Sequence, residues 1–316
     1  MGNFKKIFDN NAPVVNSVKG DYVRNVNLVS IGFDSGHQNL NSICAIVEQQ
    51  VQDGVDLVLL PEMCLAYELF YMDGKEVKAM SELAARKNVY IVFTSFFSVN
   101  NENFNRSVMF DRGGEIAGIY DKAFTFFGEG FLDPPCVPGK EIPVFKTDFG
   151  VIGISNCFDV NFPQVYKKLS DQNAEIVLYP SGYTAGMSLQ AHAINHNYYI
   201  VSSTLKPDCL LYDISGREAY YKTTPGVNIS PLTIDLDRCI FHFDYNLQKR
   251  DRLLKENADI IEQDSCFERE GWFTLKSKKP GVSARQLASD YCLEELSQYK
   301  KRKADELNEL RGFAYT

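Results

Sequence analysis

The sequence predicts an α/β protein folded as a four-layer α-β-β-α sandwich with two pseudo-symmetric halves. The first observation is that apolar, strand-like runs alternate with segments of helical periodicity, which is the pattern of sheets covered by helices. The second is that three short segments of the first half recur in the same order in the second half. Two such halves, each with a sheet and its helices, give four layers when their sheets pack together.

The internal repeat consists of two strand-like runs and a turn. The matching pairs are residues 55–62 with 174–181, 88–95 with 197–204, and 109–115 with 211–217. One pair alone would carry little weight, because buried strands are rich in the same apolar residues. Three pairs in the same order favour two halves of similar structure.

The first half is predicted to begin with an irregular arm over residues 1–25. The elements that follow are a strand at 27–33, a helix from Asn39 or Asn41 to Gln50, a strand at 56–61, a helix at 74–87, a strand at 88–95, and a hairpin of 105–110 with 116–120. Asparagine marks the first helix start because it is a preferred N-cap residue. The continuous apolar run at 56–61 is typical of a strand that is buried on both faces.

The C-terminal part is predicted to be helical. An amphipathic helix is expected from Leu247 to Ile261, and a capping-box pattern at 283–286 predicts a second helix that ends before Gly312. The basic run at 300–303 is followed closely by acidic residues. A solvated helix face or a subunit contact is therefore favoured over a nucleic-acid patch.

Composition narrows the class of protein. The chain has 316 residues, of which 45% are hydrophobic, and a formal net charge of −8, which favours a folded core and argues against a nucleic-acid partner. No apolar run has the length of a membrane span, and the N-terminus lacks the apolar segment of a signal peptide. The eight cysteines include no Cys-x-x-Cys pair, so we expect free thiols in a cytoplasmic protein, with no metal site and no cofactor.

Residues 151–163 contain the strongest candidate for a catalytic centre. An apolar run leads to Cys157, Asp159 follows two positions later, and Pro163 stands just beyond the turn. A thiol at the end of a buried strand is accessible to a substrate and rigidly held, as a nucleophile must be. A small buried cysteine without a catalytic role would give the same local pattern. Other residues must therefore show whether Cys157 is catalytic.

Glu62 and Lys122 occupy comparable positions. Glu62 follows the strand-ending Pro61, and Lys122 follows the second strand of the hairpin. Since sites gather at the carboxyl ends of strands in α/β folds, we expect both residues near Cys157. A loop carboxylate and a surface lysine are the alternative interpretations of these two residues.

Together these residues carry a resemblance to the nitrilase superfamily of carbon–nitrogen hydrolases, in particular to its amidase-like members. The motifs that match, in family-like order and spacing, are Pro61-Glu62, Tyr120-Asp121-Lys122 and Asn156-Cys157-Phe158-Asp159. The resemblance covers residues 26–240, and we assign 26–280 to a carbon–nitrogen hydrolase domain and 281–316 to a helical arm that is a candidate for subunit contact. It implies the sandwich fold, a small-molecule amide substrate and a homodimer or higher homo-oligomer.

The resemblance also implies a role for each matching residue. Cys157 would be the nucleophile, Glu62 the general base and acid, and Lys122 the cation that stabilises the tetrahedral intermediate. Glu129 would hold the site together, and Asp159 would anchor the bend. Such a site would hydrolyse a linear amide through a thioester. The chemistry of thiols supports these roles for Glu62 and Lys122. A cysteine with a pKa of about 8.5 needs a base or a nearby cation to attack at neutral pH.

The substrate pocket is expected to be aromatic. Phe158 is predicted to offer its backbone N–H to the oxyanion, and its side chain is predicted to line the pocket with Tyr67, Phe127 and Tyr183. No cationic side chain other than Lys122 is obviously placed to hold a carboxylate. We therefore expect an apolar or small uncharged acyl group.

A departure from the family pattern leaves alternatives open. The expected Arg-Ala-x-Glu-Asn stretch is replaced by the stretch from His192 to His196, which removes a charged pair that supports the site. Acyl transfer from the same thioester to an amine is one alternative to hydrolysis, and a non-catalytic binding protein is another. A papain-like hydrolase that uses His192 or His196 is a further hypothesis, although the expected surroundings of its cysteine and histidine are missing.

Overall fold

The computed structural model describes residues 24–314, which contain sixteen strands and seven α-helices. The strands, numbered along the chain, are β1 (Asn25–Phe33), β2 (Leu57–Leu59), β3 (Leu69–Phe70), β4 (Tyr90–Val99), β5 (Glu102–Phe110), β6 (Ile116–Asp121), β7 (Val144–Lys146), β8 (Val151–Ile154), β9 (Ile176–Ser181), β10 (Tyr199–Thr204), β11 (Asp208–Tyr212), β12 (Glu218–Thr223), β13 (Val227–Asp235), β14 (Cys239–His242), β15 (Ile261–Phe267) and β16 (Trp272–Ser277). The helices are α1 (Leu40–Gln50), α2 (Lys75–Lys87), α3 (Pro163–Asp171), α4 (Gly186–His196), α5 (Leu247–Glu256), α6 (Ala284–Asp290) and α7 (Leu296–Arg311). All but the last two residues of the predicted arm, 1–25, lie outside the described residues.

Two sheets form the centre of the fold. The first has the order β13-β1-β2-β4-β5-β6, with β3 paired to β4, and the second has the order β12-β11-β10-β9-β8-β7. β2 is parallel to both β1 and β4, and β9 is parallel to both β8 and β10. An antiparallel pair then completes each half, β5 with β6 and β11 with β12. Each half has a strand, a helix, a strand, a helix and three strands in this order, and the first half has the short β3 as an insertion between β2 and α2. This order confirms the predicted pseudo-symmetric halves.

Three apolar clusters define the four layers. In the first cluster, Ile43 of α1 and Met80 of α2 pack on the outer face of the first sheet. In the second, Leu59 and Leu178 lie where the inner faces of the two sheets meet. In the third, Tyr166 of α3 packs with α4 on the outer face of the second sheet. The layers therefore run helix, sheet, sheet, helix, as predicted.

The two sheets approach each other closely beside Gly32. A Cβ atom at Gly32 would lie 2.9 Å from the carbonyl oxygen of Thr204, so a residue with a side chain does not fit there. Nearby, the Ser30 hydroxyl donates a hydrogen bond to the carbonyl of Ser202 at 2.7 Å. Both contacts join β1 to β10, so the carboxyl ends of these strands have a fixed relative position.

The C-terminal helices differ from the prediction in two ways. α5 ends at Glu256 instead of Ile261, because Ile261 is the first residue of β15 and is buried in a further apolar cluster. The second predicted helix is divided into α6 and α7. The chain turns between them at Cys292, whose φ is +57°, and this turn buries Leu293.

A third sheet, with the order β14-β16-β15, is not predicted by the sequence patterns. Its apolar cluster with α5 and α6 includes Phe241, Leu253, Phe273 and Ala288. Since Ala288 belongs to α6, the residues just beyond 280 pack against this sheet. The domain boundary at 280 stays a prediction.

Candidate active site

Cys157 lies at the sharp turn that follows β8, as the first residue of the 3₁₀ helix Cys157–Asn161. Its φ of +47° is left-handed, a conformation that costs energy in a non-glycine residue and persists only where the surroundings enforce it. Asp159 accepts a hydrogen bond from the backbone N–H of Asn156 at 2.9 Å. The Tyr179 hydroxyl donates to the carbonyl of Cys157 at 2.9 Å. These two hydrogen bonds fix the backbone immediately before Cys157 and at its carbonyl group.

Asp159 also ties this turn to the segment that carries Lys122. The Tyr120 hydroxyl donates to Oδ2 of Asp159 at 2.6 Å, and the Phe124 N–H donates to Oδ1 at 2.9 Å. Burial raises the pKa of Asp159 to about 6, against the lowering effect of the bond from Tyr120. Tyr120 and Phe124 flank Lys122 in the sequence. Their hydrogen bonds to Asp159 therefore fix the position of Lys122 relative to the turn that carries Cys157.

Glu62 and Lys122 form a buried ion pair. Glu62 follows β2 and is 2% exposed, and Lys122 follows β6 and is 1% exposed. Nζ of Lys122 donates to Oε1 of Glu62 at 2.9 Å and to Oε1 of Glu129 at 2.5 Å. The backbone N–H of Gly182, just beyond β9, donates to Oε2 of Glu62 at 3.1 Å. Charge-assisted hydrogen bonds of this kind fix the carboxylate in one position.

Asn105 joins the two carboxylates, and the sequence analysis does not identify it. Its Nδ2 donates to Oε1 of Glu62 and to Oε1 of Glu129, both at 2.8 Å, and its Oδ1 accepts from Nδ2 of Asn156 at 2.8 Å. A signal was present, because asparagine is depleted from strands and a buried amide needs partners. The side chain therefore links the carboxylates to the residue that precedes Cys157.

Cys157 opens into a cavity of about 440 Å³. The cavity is lined by Glu62, Met63, Tyr67, Phe96, Lys122, Phe126, Gly128, Glu129, Cys157, Phe158, Asn161, Gly182 and Tyr183. Three of these side chains carry charge, and most of the others are apolar or aromatic. Cavities of this kind, with a few converging polar groups, are typical of small-molecule sites.

The structure brings most of the predicted pocket residues together but not all of them. Tyr67, Phe158 and Tyr183 line the cavity with the charged groups. Phe127 does not, because its side chain is 76% exposed and its ring packs edge-to-face on that of Phe126. Phe126 lines the cavity instead, since consecutive residues in a tight turn point in different directions.

The thiol of Cys157 has a raised pKa. Burial is the largest cause, the negative charge of Glu62 adds to it, and the pKa reaches about 12. Lys122 and hydrogen bonds from Ser181 and Gly182 act in the opposite direction without outweighing these effects. The thiol is therefore protonated near neutral pH, and attack on a substrate requires a base to remove its proton.

The electrostatics keep Lys122 charged. Burial alone would lower the pKa of Lys122, but the negative charges of Glu62 and Glu129 raise it above its usual value. Burial raises the pKa of Glu129, and the charge of Lys122 opposes that change. A fixed positive charge in a cavity sheltered from water is suited to stabilising an oxyanion.

His192 holds α4 against the turn that carries the thiol. Its Nε2–H donates to the carbonyl of Val160 at 2.9 Å, and its ring stacks on that of Tyr166 with centroids 3.6 Å apart. The Tyr166 hydroxyl accepts from Ser155 at 2.6 Å, two residues before the thiol. Neither His192 nor His196 lines the cavity, so the geometry gives the papain-like hypothesis no support.

Residues 24–314 contain neither a cluster of metal ligands nor a helix suited to cross a membrane. No group of three or more His, Cys, Asp and Glu side chains is arranged there to hold a metal ion. No helix in that range is both long and apolar enough to cross a bilayer. All eight cysteines are free thiols.

Known proteins resemble this chain in both sequence and fold. A family model described as carbon-nitrogen hydrolase matches residues 29–208, more than half of the chain. The deaminated glutathione amidase of Yersinia enterocolitica is 27% identical over 184 residues, which are 51% of this chain and 64% of that protein. The citrullinase of Francisella tularensis is 27% identical over 172 residues, which are 49% of this chain and 60% of that protein. The chain thus spans less than two thirds of the length of these relatives.

A solved structure with a similar fold is the carbon-nitrogen hydrolase from Helicobacter pylori G27. The TM-score is 0.59 at 17% sequence identity, and the match covers 68% of this chain and 90% of that one. At this identity the likeness concerns the fold alone. The family match begins within β1, contains β2 to β10 and includes the residues that meet around the cavity. The chain therefore belongs to the carbon-nitrogen hydrolase family.

Proposed function

We propose that this protein hydrolyses a linear amide, a carbon–nitrogen bond other than a peptide bond, through a thioester on Cys157. The products are a carboxylic acid and either ammonia or an amine. One observation carries the proposal. Cys157, Glu62 and Lys122 line one cavity, with the two charged groups hydrogen bonded to each other. The amidase names of the relatives support the same class of reaction.

In the first step the thiol adds to the amide carbonyl. Glu62 takes the S–H proton as the sulfur–carbon bond forms, which is required because the pKa of Cys157 is about 12. The carbonyl oxygen becomes an oxyanion, which the Lys122 ammonium and the Phe158 N–H stabilise. Phe158 is the second residue of a 3₁₀ helix, so its N–H has no acceptor within that helix. The C–N bond then breaks, and the amine leaves with the proton that Glu62 returns.

In the second step water cleaves the thioester. Glu62 takes a proton from the attacking water, and a second tetrahedral intermediate forms at the same carbon. The carbon–sulfur bond then breaks, the carboxylic acid is released, and the sulfur recovers its proton. The same oxyanion donors serve both steps, because the carbonyl oxygen keeps its position.

Glu129 and Asp159 support these steps without reacting. Glu129 and Glu62 each accept one of the three N–H groups of Lys122, which leaves the third for the substrate oxygen. Asp159 holds the turn that carries Cys157. Both carboxylates are buried, so their hydrogen bonds are strong and their positions are fixed.

The test measures ammonia release from a panel of simple amides together with the intact mass of the protein. Cys157→Ser should abolish both ammonia release and an acyl adduct on residue 157. Cys136→Ser is the matched control, because the pKa of Cys136 is also raised to about 12, but Cys136 is buried and does not line the cavity. Ammonia release by Cys157→Ser at the wild-type rate would exclude the proposal.

The same assay separates the alternatives. With hydroxylamine present, a hydroxamate formed in preference to the acid would favour acyl transfer over hydrolysis. The absence of product and adduct with every amide would favour a non-catalytic binding protein. The free thiols support a cytoplasmic location, and the family supports a homodimer, which light scattering after gel filtration would measure.

A further inference from the structure

The cavity beside Cys157 has a wall whose chemistry indicates the acyl group it accepts. We infer that the substrate carries an uncharged, apolar acyl group of the size of a phenyl ring or a medium-length alkyl chain. This inference rests on the proposed amide hydrolysis and specifies its substrate class. It depends on three features of the cavity, namely its charges, its aromatic wall and its volume.

The carboxylates of the cavity are already engaged. Oε1 of Glu62 accepts from Lys122 and Asn105, and Oε2 accepts from the N–H of Gly182. Oε1 of Glu129 accepts from the same Lys122 and Asn105, and Oε2 accepts from a backbone N–H. Each Oε1 therefore has two donors and each Oε2 has one. The site left on Oε2 of Glu62 is available to receive the thiol proton in the proposed mechanism, so a substrate ammonium bound there would block the reaction. An ammonium placed elsewhere in the cavity would be buried without an acceptor, which is costly.

An anionic acyl group is disfavoured for a different reason. Lys122 is the one cation among the lining residues, and it is bonded to two carboxylates. The cluster of Lys122, Glu62 and Glu129 therefore carries a net negative charge. A carboxylate on the acyl group would be repelled by this cluster and would also lose its hydration on entry.

Aromatic rings form the remaining wall. Tyr67 packs edge-to-face on Phe96 with ring centroids 4.9 Å apart, and Phe126 packs in the same manner on Phe158 at 5.7 Å. Tyr67 and Phe126 are still 52% and 48% exposed. An apolar acyl group can cover this exposed ring surface, and the removal of apolar surface from water favours binding.

The volume sets the size of the group. An apolar protein cavity of about 150 Å³ accommodates one benzene molecule. The cavity beside Cys157 measures about 440 Å³, which is about three times that volume. It has room for the amide group together with a phenyl ring or a medium-length alkyl chain.

The test compares amides that differ only at the end of the acyl chain. Hexanamide is neutral, adipamate ends the same chain in a carboxylate, and 6-aminohexanamide ends it in an ammonium. We expect kcat/KM for hexanamide to exceed that for each charged amide by about 100-fold or more, because a charge without a partner is buried at high cost. From acetamide to hexanamide, kcat/KM should rise by up to about fourfold per methylene.

Two outcomes would overturn the inference, and they can be told apart. A kcat/KM for adipamate or 6-aminohexanamide that equals or exceeds that for hexanamide overturns the substrate class while leaving amide hydrolysis in place. If no amide is cleaved and no adduct forms on Cys157, the proposed function fails and the substrate class fails with it.

A substitution in the wall tests the same inference from the protein side. Phe126→Arg places a cation at the cavity wall, so the ratio of kcat/KM for adipamate to that for hexanamide should rise by about tenfold or more. Phe131→Arg is the matched control, because Phe131 lies in the same segment but is 73% exposed and does not line the cavity. An equal rise in both variants, or no rise in Phe126→Arg, would overturn the assignment of this wall to the acyl group.

Discussion

Replacing Glu62 with glutamine should make Cys157 more reactive toward an alkylating reagent while nearly abolishing amide hydrolysis. The effects have opposite directions because the carboxylate acts in two ways. Its negative charge adds to burial in raising the pKa of the thiol, and in the proposed mechanism it removes the thiol proton during attack on the amide. Glutamine preserves the size of the side chain but removes both the charge and the basicity.

The size of the expected change in labelling rate follows from how close Glu62 lies to the Cys157 thiol. Glu62 and the thiol both contact the backbone N–H of Gly182, and a charge at such a separation shifts a pKa by about 1–3 units. Each unit lost gives about tenfold more thiolate but about threefold lower intrinsic reactivity. Alkylation near neutral pH should therefore accelerate by about 3- to 30-fold. Amide hydrolysis should fall by about 10²–10⁴, as for the loss of a general base.

The assay is the rate at which iodoacetamide labels Cys157, measured by mass spectrometry across a range of pH. In the wild type this rate should still be rising at alkaline pH, because the pKa of the thiol is about 12, whereas Glu62→Gln should level off at a lower pH. Glu68→Gln is the matched control, since it removes the same charge from an exposed residue nearby. Slower labelling of Glu62→Gln than of the wild type would refute the reasoning.

Three further substitutions test the rest of the buried network. Lys122→Met leaves the Glu62 and Glu129 carboxylates buried without their cation, so the free energy of unfolding should fall by about 3–5 kcal/mol at neutral pH. Part of this loss should return as the pH falls, because unpaired buried carboxylates have raised pKa values and become neutral in acid. Asn105→Ala removes the donor shared by both carboxylates and should cost about 1–3 kcal/mol in urea unfolding, with kcat falling more than KM changes. His192→Phe keeps the stacked ring but loses the bond to a backbone carbonyl, which should lower the free energy of unfolding by about 1–3 kcal/mol.

Each of these variants has an outcome that would contradict its prediction. Lys140→Met changes an exposed lysine, and an equal loss of stability there would mean that the buried ion pair is not the cause. An unchanged kcat in Asn105→Ala would mean that the carboxylates keep their positions without this amide. Wild-type stability in His192→Phe would mean that the apolar contacts of α4 are sufficient to hold it.

The features that the sequence predicts are encoded over short distances. Glu62 and Cys157 each follow an apolar run that is long enough to mark a buried strand, and a strand end specifies where a side chain can emerge. The alternation of strands and helices, and the repeated order of segments, likewise depend on neighbouring residues. This is why the four layers and the two halves are predictable without coordinates.

The features that the sequence does not predict depend on residues far apart in the chain. Asn105 bonds to partners 43 and 24 positions away, so an asparagine within a strand can be noticed in the sequence, but its partners cannot be identified there. Whether Phe126 or Phe127 faces the cavity depends on the orientation of a single turn. The third sheet is not predicted because β14 is only four residues long and pairs with β16, thirty or more positions later.

The proposed thioester is tested most directly by the intact mass of the protein after it is mixed with hexanamide and quenched in acid during the first turnovers. We predict a mass increase of one hexanoyl group that maps to Cys157, is removed by hydroxylamine and does not form in Cys157→Ala. Ammonia release without any adduct, or an adduct on Cys136 in place of Cys157, would contradict the account.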